Sequence, residues 1–197
     1  MNYRPLLAAL ALALATAASH VSLAGAATNV AGVTFDDTAS VAGQPLVLNG
    51  AGVRTRLLFK VYAMGVYVAQ RAHDPGGLQN QPGSKRIRIV TLRDLSAEQF
   101  VEALVEGLKK NHSPEALAAL EPAIGAFRKA MLEIKDAPTN TEVLIESWNG
   151  ATRLTVAGKR RGEDISDERF FPALLRIWIG DVPADAELKQ NLLGKAS

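Results

Sequence analysis

The chain has 197 residues, of which 48% are hydrophobic and 21% are charged, a composition typical of a globular protein. It contains no cysteine, which excludes disulfides, thiolate nucleophiles and cysteine-ligated metals. The 22 Lys and Arg against 20 Asp and Glu leave a net charge of only +2, so no nucleic-acid partner is predicted. His73 and His112 are far apart and lack acidic partners in a recognised pattern, so no metal site is predicted either.

The first 26 residues have the features of a secretory signal peptide. Arg4 provides a basic start, an apolar run extends from Leu6 to Ala18, and small residues at 24–26 suit cleavage. The apolar run is shorter than the roughly 20 residues that a membrane-spanning helix needs. We therefore expect residues 1–26 to be removed and residues 27–197 to form one periplasmic domain without an integral membrane segment.

Four strands are predicted in the first half of the chain. Runs rich in β-branched and aromatic residues cover Val30 to Phe35, Gln44 to Leu48, Thr55 to Ala69 and Arg86 to Leu92. Segments that contain glycine and proline separate these runs, the longest lying at 73–83. This part of the chain is thus expected to build most of a sheet.

The middle of the chain changes to helical periodicity. Ser96 is placed to cap a helix, and the apolar residues that follow, beginning with Phe100, share one face. A second helix is predicted to start at Ser113-Pro114, because serine caps and proline favours the first helical position. Pro122 lies inside this second helix and is expected to kink or split it.

Strands return in the last third of the chain, before the final helices. Glu142 to Trp148 and Thr152 to Ala157 are joined by an Asn-Gly dipeptide, the strongest short hairpin signal. Asp167 is placed to cap a last principal helix that ends at Gly180, and a short closing helix follows. The whole pattern predicts an α+β domain, an antiparallel sheet with a layer of helices on one face.

A single arginine interrupts the apolar residues in the middle of the predicted sheet. The sequence at 48–54 is Leu-Asn-Gly-Ala-Gly-Val-Arg, and Lys-Val-Tyr-Ala-Met-Gly-Val-Tyr-Val follows at 60–68. Gly50 and Gly52 permit a bend or bulge before Arg54. An arginine at the wall of an apolar cavity can hold an amphipathic acid by its carboxylate. The alternatives are a salt bridge to an internal carboxylate and a side chain that extends to the surface.

This pair of segments resembles the chalcone isomerase family, and specifically its bacterial and fatty-acid-binding branches with the Val-Tyr-Ala-x-Gly-Val-Tyr strand. A weaker similarity extends over nearly all of the chain after residue 26, as far as Trp178-Ile179-Gly180 at the end of the last principal helix. The resemblance implies a chalcone isomerase-like open-faced β-sandwich.

The resemblance also identifies site positions. Plant chalcone isomerases use an arginine together with polar side chains from a strand, a helix and a later segment. Here Arg54 matches the arginine, whereas Tyr62, Phe100, Gly107 and Ile177 occupy the other positions. The last three offer no side-chain donor, and losing one donor to a developing oxyanion typically costs about a hundredfold in rate or more. We therefore expect no catalytic residue, Arg54 and Tyr62 as ligand-binding residues, and Phe100, Gly107 and Ile177 as pocket-lining residues.

Three functions follow as alternatives. The fatty-acid-binding branch implies a non-catalytic protein in which Arg54 and Tyr62 hold the carboxylate of a fatty acid or similar amphipathic ligand, without a cofactor. An intramolecular lyase or isomerase would use Arg54 to stabilise an enolate and Tyr62 as a proton donor. A structural or interaction protein would instead have a filled core and no ligand. For Tyr62 itself, the alternative to ligand binding is a core aromatic whose hydroxyl bonds a backbone carbonyl.

Overall fold

A computed structural model describes residues 27–195 of the protein. The predicted signal peptide at 1–26 lies outside the described residues. The strands of the described range are β1 Ala27–Val30, β2 Val33–Asp36, β3 Thr38–Val41, β4 Gln44–Arg56, β5 Phe59–Val68, β6 Lys85–Thr91, β7 Leu95–Ser96, β8 Asp136–Ala137, β9 Glu142–Trp148, β10 Ala151–Val156 and β11 Lys159–Ile165. The helices are α1 Pro75–Asn80, α2 Ala97–Asn111, α3 Pro114–Leu132, α4 Phe170–Ile179 and α5 Ala186–Leu192. Within this range, no helix has both the length and the apolar character needed to cross a membrane.

Seven of these strands form one antiparallel sheet in the order β11-β10-β9-β6-β5-β4-β3. Side chains alternate between the two faces, as strand geometry requires. On β5, Tyr62, Met64 and Val66 are buried in the larger core with the helices, whereas Ala63 and Tyr67 belong to a smaller core on the other face. The predicted α+β architecture, with an antiparallel sheet and a layer of helices, is confirmed.

The predicted strand from Thr55 to Ala69 is wrong at its start. β4 continues through the two glycines to Arg56, and a tight turn at Leu57 and Leu58 precedes β5. Leu57 has a φ of 58°, in the left-handed region where glycine and asparagine are normally preferred. The hairpin was missed because its turn contains none of the residues that usually mark one.

Three local expectations also need correction. The segment predicted as a turn at 73–83 contains helix α1, which the carboxylate of Asp74 caps. Helix α3 continues through Pro122, so the expected split is wrong, whereas a kink there stays a prediction. The carbonyl of Ala118 loses its usual donor, but it belongs to an exposed residue, where water can replace that donor. Asp167 does not cap α4, which starts at Phe170; its carboxylate instead accepts a bond from the backbone N–H of Arg169.

The two glycines of β4 lie where helix α5 approaches the strand. The register between β4 and β5 shifts between Leu48 and Gly50, so the predicted bulge is confirmed. A Cβ atom on Gly52 would lie only 2.8 Å from the Cβ of Asn191, and one on Gly50 would collide with the carbonyl oxygen of Asn191. Glycine is therefore needed here to let α5 pack closely on β4, in addition to permitting the bulge.

Candidate functional site

A cavity of about 610 Å³ lies where β4 and β5 meet helices α2 and α4. This volume is within the range of roughly 300–1,000 Å³ that is usual for small-molecule sites. Its wall is mostly apolar and its rim carries exposed charged side chains. The apolar wall includes Val61, Leu95, Phe100, Ala103, Leu104, Ile177 and Trp178, and the exposed rim includes Arg56, Arg93, Asp94, Glu102 and Glu106.

Arg54 and Tyr62 lie side by side in this cavity. They are register partners on β4 and β5, so their side chains leave the same face of the sheet. The guanidinium carbon of Arg54 lies 5.6 Å from the centre of the Tyr62 ring, within the range of a cation–π contact. The hairpin between the two strands therefore places two potential ligand-binding groups together.

The Nε atom of Arg54 is buried and has no hydrogen-bond partner among the described residues. No ion pair joins Arg54 to any carboxylate within residues 27–195, so the internal salt bridge that the sequence left open is not present there. Leaving a buried polar group unpaired typically costs about 1–3 kcal/mol, and more when the group is charged. An anion in the cavity would pair with the Arg54 guanidinium, which has no carboxylate partner within residues 27–195.

The hydroxyl of Tyr62 accepts a 2.7 Å hydrogen bond from Nε1 of Trp178. Among the described residues this hydroxyl has a side chain, the Trp178 indole, as its partner and makes no bond to a backbone carbonyl. Because the indole uses a lone pair of the oxygen, the hydroxyl proton is still available for donation. Burial raises the pKa of Tyr62, with partly opposing effects from the charge of Arg54 and the bond from Trp178. The phenol is therefore a neutral donor at physiological pH.

The carboxylate of Asp185 connects the site to helix α5. It accepts a bond from the backbone N–H of Thr55, at 2.9 Å, and it caps α5 through the N–H of Leu188. Thr55 follows Arg54 at a second register shift between β4 and β5. Asp185 thus stabilises the backbone beside Arg54, and its negative charge contributes to raising the pKa of Tyr62.

The three predicted pocket-lining residues lie in two different environments. Phe100 and Ile177 are at the cavity wall. Gly107 is not at the wall; it is buried where α2 packs on α4, and a Cβ atom on it would lie 2.6 Å from Cγ2 of Ile177. The space for a polar side chain at position 107 is therefore occupied by Ile177.

Sequence reasoning missed the role of Trp178, which it assigned only to the buried side of the last principal helix. A signal for that role was present, because a buried indole N–H requires an acceptor and a tyrosine hydroxyl is a suitable one. The charges at the rim were also missed. Arg56 lines the cavity because β4 extends as far as this residue. The sequence did not indicate where β4 ends, since the turn that follows contains none of the usual hairpin residues.

A model of the chalcone isomerase-like family matches residues 27–194, almost the whole described range. The chain belongs to the chalcone isomerase-like family. Among solved structures, it is similar to a fatty-acid binding protein of Arabidopsis thaliana, with 18% identity and a TM-score of 0.63 over 82% of this chain and 92% of that one. The likeness confirms the chalcone isomerase-like fold. No match was found among curated proteins.

Proposed function

We propose that this chalcone isomerase-like protein binds a fatty acid or similar amphipathic carboxylate, with the carboxylate at Arg54 and Tyr62. The proposal rests on Arg54, whose side chain lines a cavity of about 610 Å³, whose Nε has no acceptor among the described residues, and whose guanidinium forms no ion pair there. A carboxylate would accept bonds from the guanidinium and from the Tyr62 hydroxyl together.

The wall of the cavity supports a ligand with one polar end. Beyond Arg54 and Tyr62, Phe100, Leu104 and Ile177 present hydrocarbon. A second charged or strongly polar group would lose its hydration without gaining a partner wherever it met these three side chains instead of the charged rim. A hydrocarbon tail would instead bury apolar area, which stabilises the complex by about 25 cal/mol for each Å² removed from water. The name of the similar Arabidopsis structure, a fatty-acid binding protein, supports the same ligand class.

An intramolecular lyase or isomerase is the second candidate. Arg54 and the neutral Tyr62 hydroxyl form a donor pair that could stabilise an enolate. However, Phe100 and Ile177 place hydrocarbon in the cavity wall. Plant chalcone isomerases have hydrogen-bond donors at the corresponding positions. The binding function therefore has the stronger support. The signal-peptide pattern at 1–26 supports the periplasm as the place of action.

Ligand affinity in an Arg54→Ala variant tests the proposal. Displacement of a fluorescent fatty acid by palmitate would be measured for wild type, for Arg54→Ala and for a control, Arg128→Ala, which removes an exposed arginine on α3. A charge-assisted bond contributes about 1.5–3 kcal/mol, so the affinity of Arg54→Ala should fall at least tenfold while the control is unchanged.

The thermal unfolding of the same variants distinguishes a ligand-binding role from a structural one. Arg54→Ala should remain folded, since its guanidinium makes no ion pair in residues 27–195. Unchanged palmitate affinity in folded Arg54→Ala would reject the proposal. The proposal would also be rejected if the wild type bound neither palmitate nor any fatty acid of shorter chain.

A further inference from the structure

The turn between β4 and β5 presents three consecutive large apolar side chains to solvent. Leu57, Leu58 and Phe59 are 87%, 93% and 60% exposed. The other exposed large apolar side chains of the described range, Leu132 and Val182, are 41% and 49% exposed and are isolated in sequence. Single exposed apolar residues are normal on a protein surface, whereas a contiguous group indicates an interaction site.

Basic side chains surround this apolar turn. Arg56 and Lys60 flank it in sequence, and the guanidinium of Arg93 lies 5.3 Å from the centre of the Phe59 ring. None of these three bases forms an ion pair within residues 27–195. We call residues 56–60 together with Arg93 the basic-apolar tip.

The acidic residues on the same rim are partly engaged elsewhere. The carboxylate of Asp94 accepts bonds from the backbone N–H and the hydroxyl of Thr139, at 2.8 and 2.9 Å. Glu106 pairs with Lys110 at 2.6 Å on helix α2. Glu102 is an exposed acid of the rim and belongs to α2, not to the turn. The turn itself therefore carries only positive charge next to its apolar side chains.

We propose that the basic-apolar tip docks on a lipid bilayer that contains anionic lipid. Leu57, Leu58 and Phe59 would enter the boundary between headgroups and acyl chains, while the flanking bases contact lipid phosphates. This combination of apolar insertion and electrostatic attraction is the physical basis of interfacial membrane binding. A narrow two-residue turn can enter a bilayer directly, whereas a protein partner would need a matching apolar groove with an acidic border.

The basic-apolar tip lies at the opening of the cavity. Leu57 and Phe59 line the cavity as well as the turn, so a docked tip would bring the cavity opening to the membrane surface. An amphipathic molecule could then pass between bilayer and cavity with little exposure to water. This inference goes beyond the proposed function, because membrane docking does not depend on which ligand Arg54 holds.

Vesicle flotation tests the apolar part of the tip. Wild type and variants would be expressed from the same full-length sequence, so that any contribution of the N-terminal segment is equal in all samples. The test variant is Leu57→Asn/Leu58→Ser, since asparagine tolerates the positive φ of residue 57. The control is Leu132→Ser/Val182→Ser, which removes two exposed apolar side chains outside the tip. With phosphatidylglycerol vesicles, the test variant should bind at least tenfold less than wild type, and the control should equal wild type.

The charge requirement is tested with a second pair of variants. Arg56→Gln/Lys60→Gln should lose about fivefold in partitioning for each base removed, whereas Arg128→Gln/Lys159→Gln, away from the tip, should not. Wild type should bind phosphatidylglycerol vesicles more strongly than phosphatidylcholine vesicles, and added salt should weaken this preference.

A fluorescent label locates the inserted residues. Because the chain contains no cysteine, Leu58→Cys offers a unique attachment site for an environment-sensitive dye, with Val182→Cys as the control position. Vesicles should shift the emission of the dye at position 58 to the blue and leave that at position 182 unchanged.

Three outcomes would overturn the proposal. The first is equal vesicle binding by wild type and Leu57→Asn/Leu58→Ser, and the second is equal binding to anionic and neutral vesicles. The third is a wild-type protein that forms a concentration-dependent dimer but does not bind vesicles, with the dimer lost in Leu57→Asn/Leu58→Ser. That result would show that the tip contacts a second copy of the chain. Palmitate affinity of Arg54→Ala is measured without vesicles, so failure of either proposal is recognised separately.

Discussion

Trp178 donates its indole N–H to the hydroxyl of Tyr62 across 116 residues of sequence, with a distance of 2.7 Å between Nε1 and the phenolic oxygen. Both side chains are buried, with exposed fractions of 2% and 5%. Each is therefore shielded from bulk water and needs a hydrogen-bond partner within the protein or the cavity. The bond fixes the tyrosine hydroxyl beside Arg54 at the wall of the cavity, and it changes what can be expected of substitutions there.

The first prediction concerns Tyr62→Phe. From sequence alone, removal of one hydroxyl should hardly affect stability, because phenylalanine keeps the ring. In the structure, however, the substitution leaves the buried Nε1–H of Trp178 without its acceptor, which costs about 1–3 kcal/mol. We therefore expect a melting temperature lower by about 2–4 °C for each kcal/mol, measured by calorimetry, and palmitate affinity reduced by about 1–2 kcal/mol.

Tyr67→Phe is the matched control for that experiment. Tyr67 lies on the same strand but faces the smaller core on the other side of the sheet. Removing the hydroxyl of Tyr67 should change neither the palmitate affinity nor the hydrogen bond between Trp178 and Tyr62. Equal effects of the two substitutions on affinity would contradict the assignment of Tyr62 to the ligand site.

The second prediction is a coupling between Tyr62 and Trp178. Trp178→Phe removes the indole donor and also leaves unfilled volume, so it should destabilise the protein on its own. Once the donor is absent, removing the acceptor has a smaller cost. In urea unfolding, Tyr62→Phe/Trp178→Phe should thus be more stable than the sum of the single effects predicts, by about 0.5–1.5 kcal/mol. Additive effects would show that the bond contributes nothing to stability.

The third prediction compares two helical glycines. A Cβ on Gly107 would lie 2.6 Å from Cγ2 of Ile177, whereas a Cβ on Gly125 of α3 would meet nothing within 4 Å. Gly107→Ala should destabilise the protein, because overpacking costs about 1–3 kcal/mol. Gly125→Ala should stabilise it by up to about 1 kcal/mol through helix propensity.

A compensating substitution tests the cause of the Gly107→Ala effect. In Gly107→Ala/Ile177→Ala, the two γ carbons of Ile177 that obstruct the new methyl group are absent. Gly107→Ala should therefore cost less in the Ile177→Ala background than in wild type, as measured by urea unfolding. An equal cost in both backgrounds would mean that the clash with Ile177 is not the source of the instability.

The fourth prediction concerns alkaline pH. Burial raises the pKa of Tyr62 above its ordinary value of 10.0, and burial likewise raises that of Tyr67. Well below pH 10, the phenols are neutral in both the folded and the unfolded chain, so their full contribution to stability is present. Above this pH, the unfolded chain ionises first, and the free energy of unfolding should fall as pH rises. Tyr62→Phe should reduce this decline without abolishing it, because Tyr67 is still present.

The same shift predicts the pH dependence of binding. Because burial raises its pKa, Tyr62 stays protonated from about pH 7 to 9, and a fatty acid is ionised in water, so palmitate affinity should be constant over that interval. Isothermal titration at several pH values measures it. A transition in affinity centred within the interval would show that another titrating group controls the site.

The fifth prediction concerns chalcone cyclisation. Phe100 and Ile177 contribute hydrocarbon to the cavity wall, and each donor lost from an oxyanion site typically reduces the rate by about a hundredfold or more. The purified protein should convert a hydroxychalcone to flavanone no faster than buffer does, as followed by absorbance. Formation of one flavanone enantiomer in excess would instead favour the lyase or isomerase function.

Local sequence patterns were sufficient for much of the fold. The helices capped by Ser96 and Ser113 and the hairpin at Asn149-Gly150 were predicted correctly, because each depends on contacts between residues only a few positions apart. The hairpin at Leu57 and Leu58 was not predicted, because its conformation is stabilised by the long β4–β5 pairing rather than by the turn residues.

The sequence by itself determined that Arg54 and Tyr62 belong to one apolar, strand-forming region, and the resemblance of that region identified the family. Only the tertiary structure decided that the two side chains share a face, that Nε of Arg54 has no acceptor in the described residues, and that Trp178 engages Tyr62. Strand and cap signals depend on neighbouring residues, which the sequence shows directly. The partner of a buried polar group depends on how distant elements pack, and here α4 brings that partner to β5.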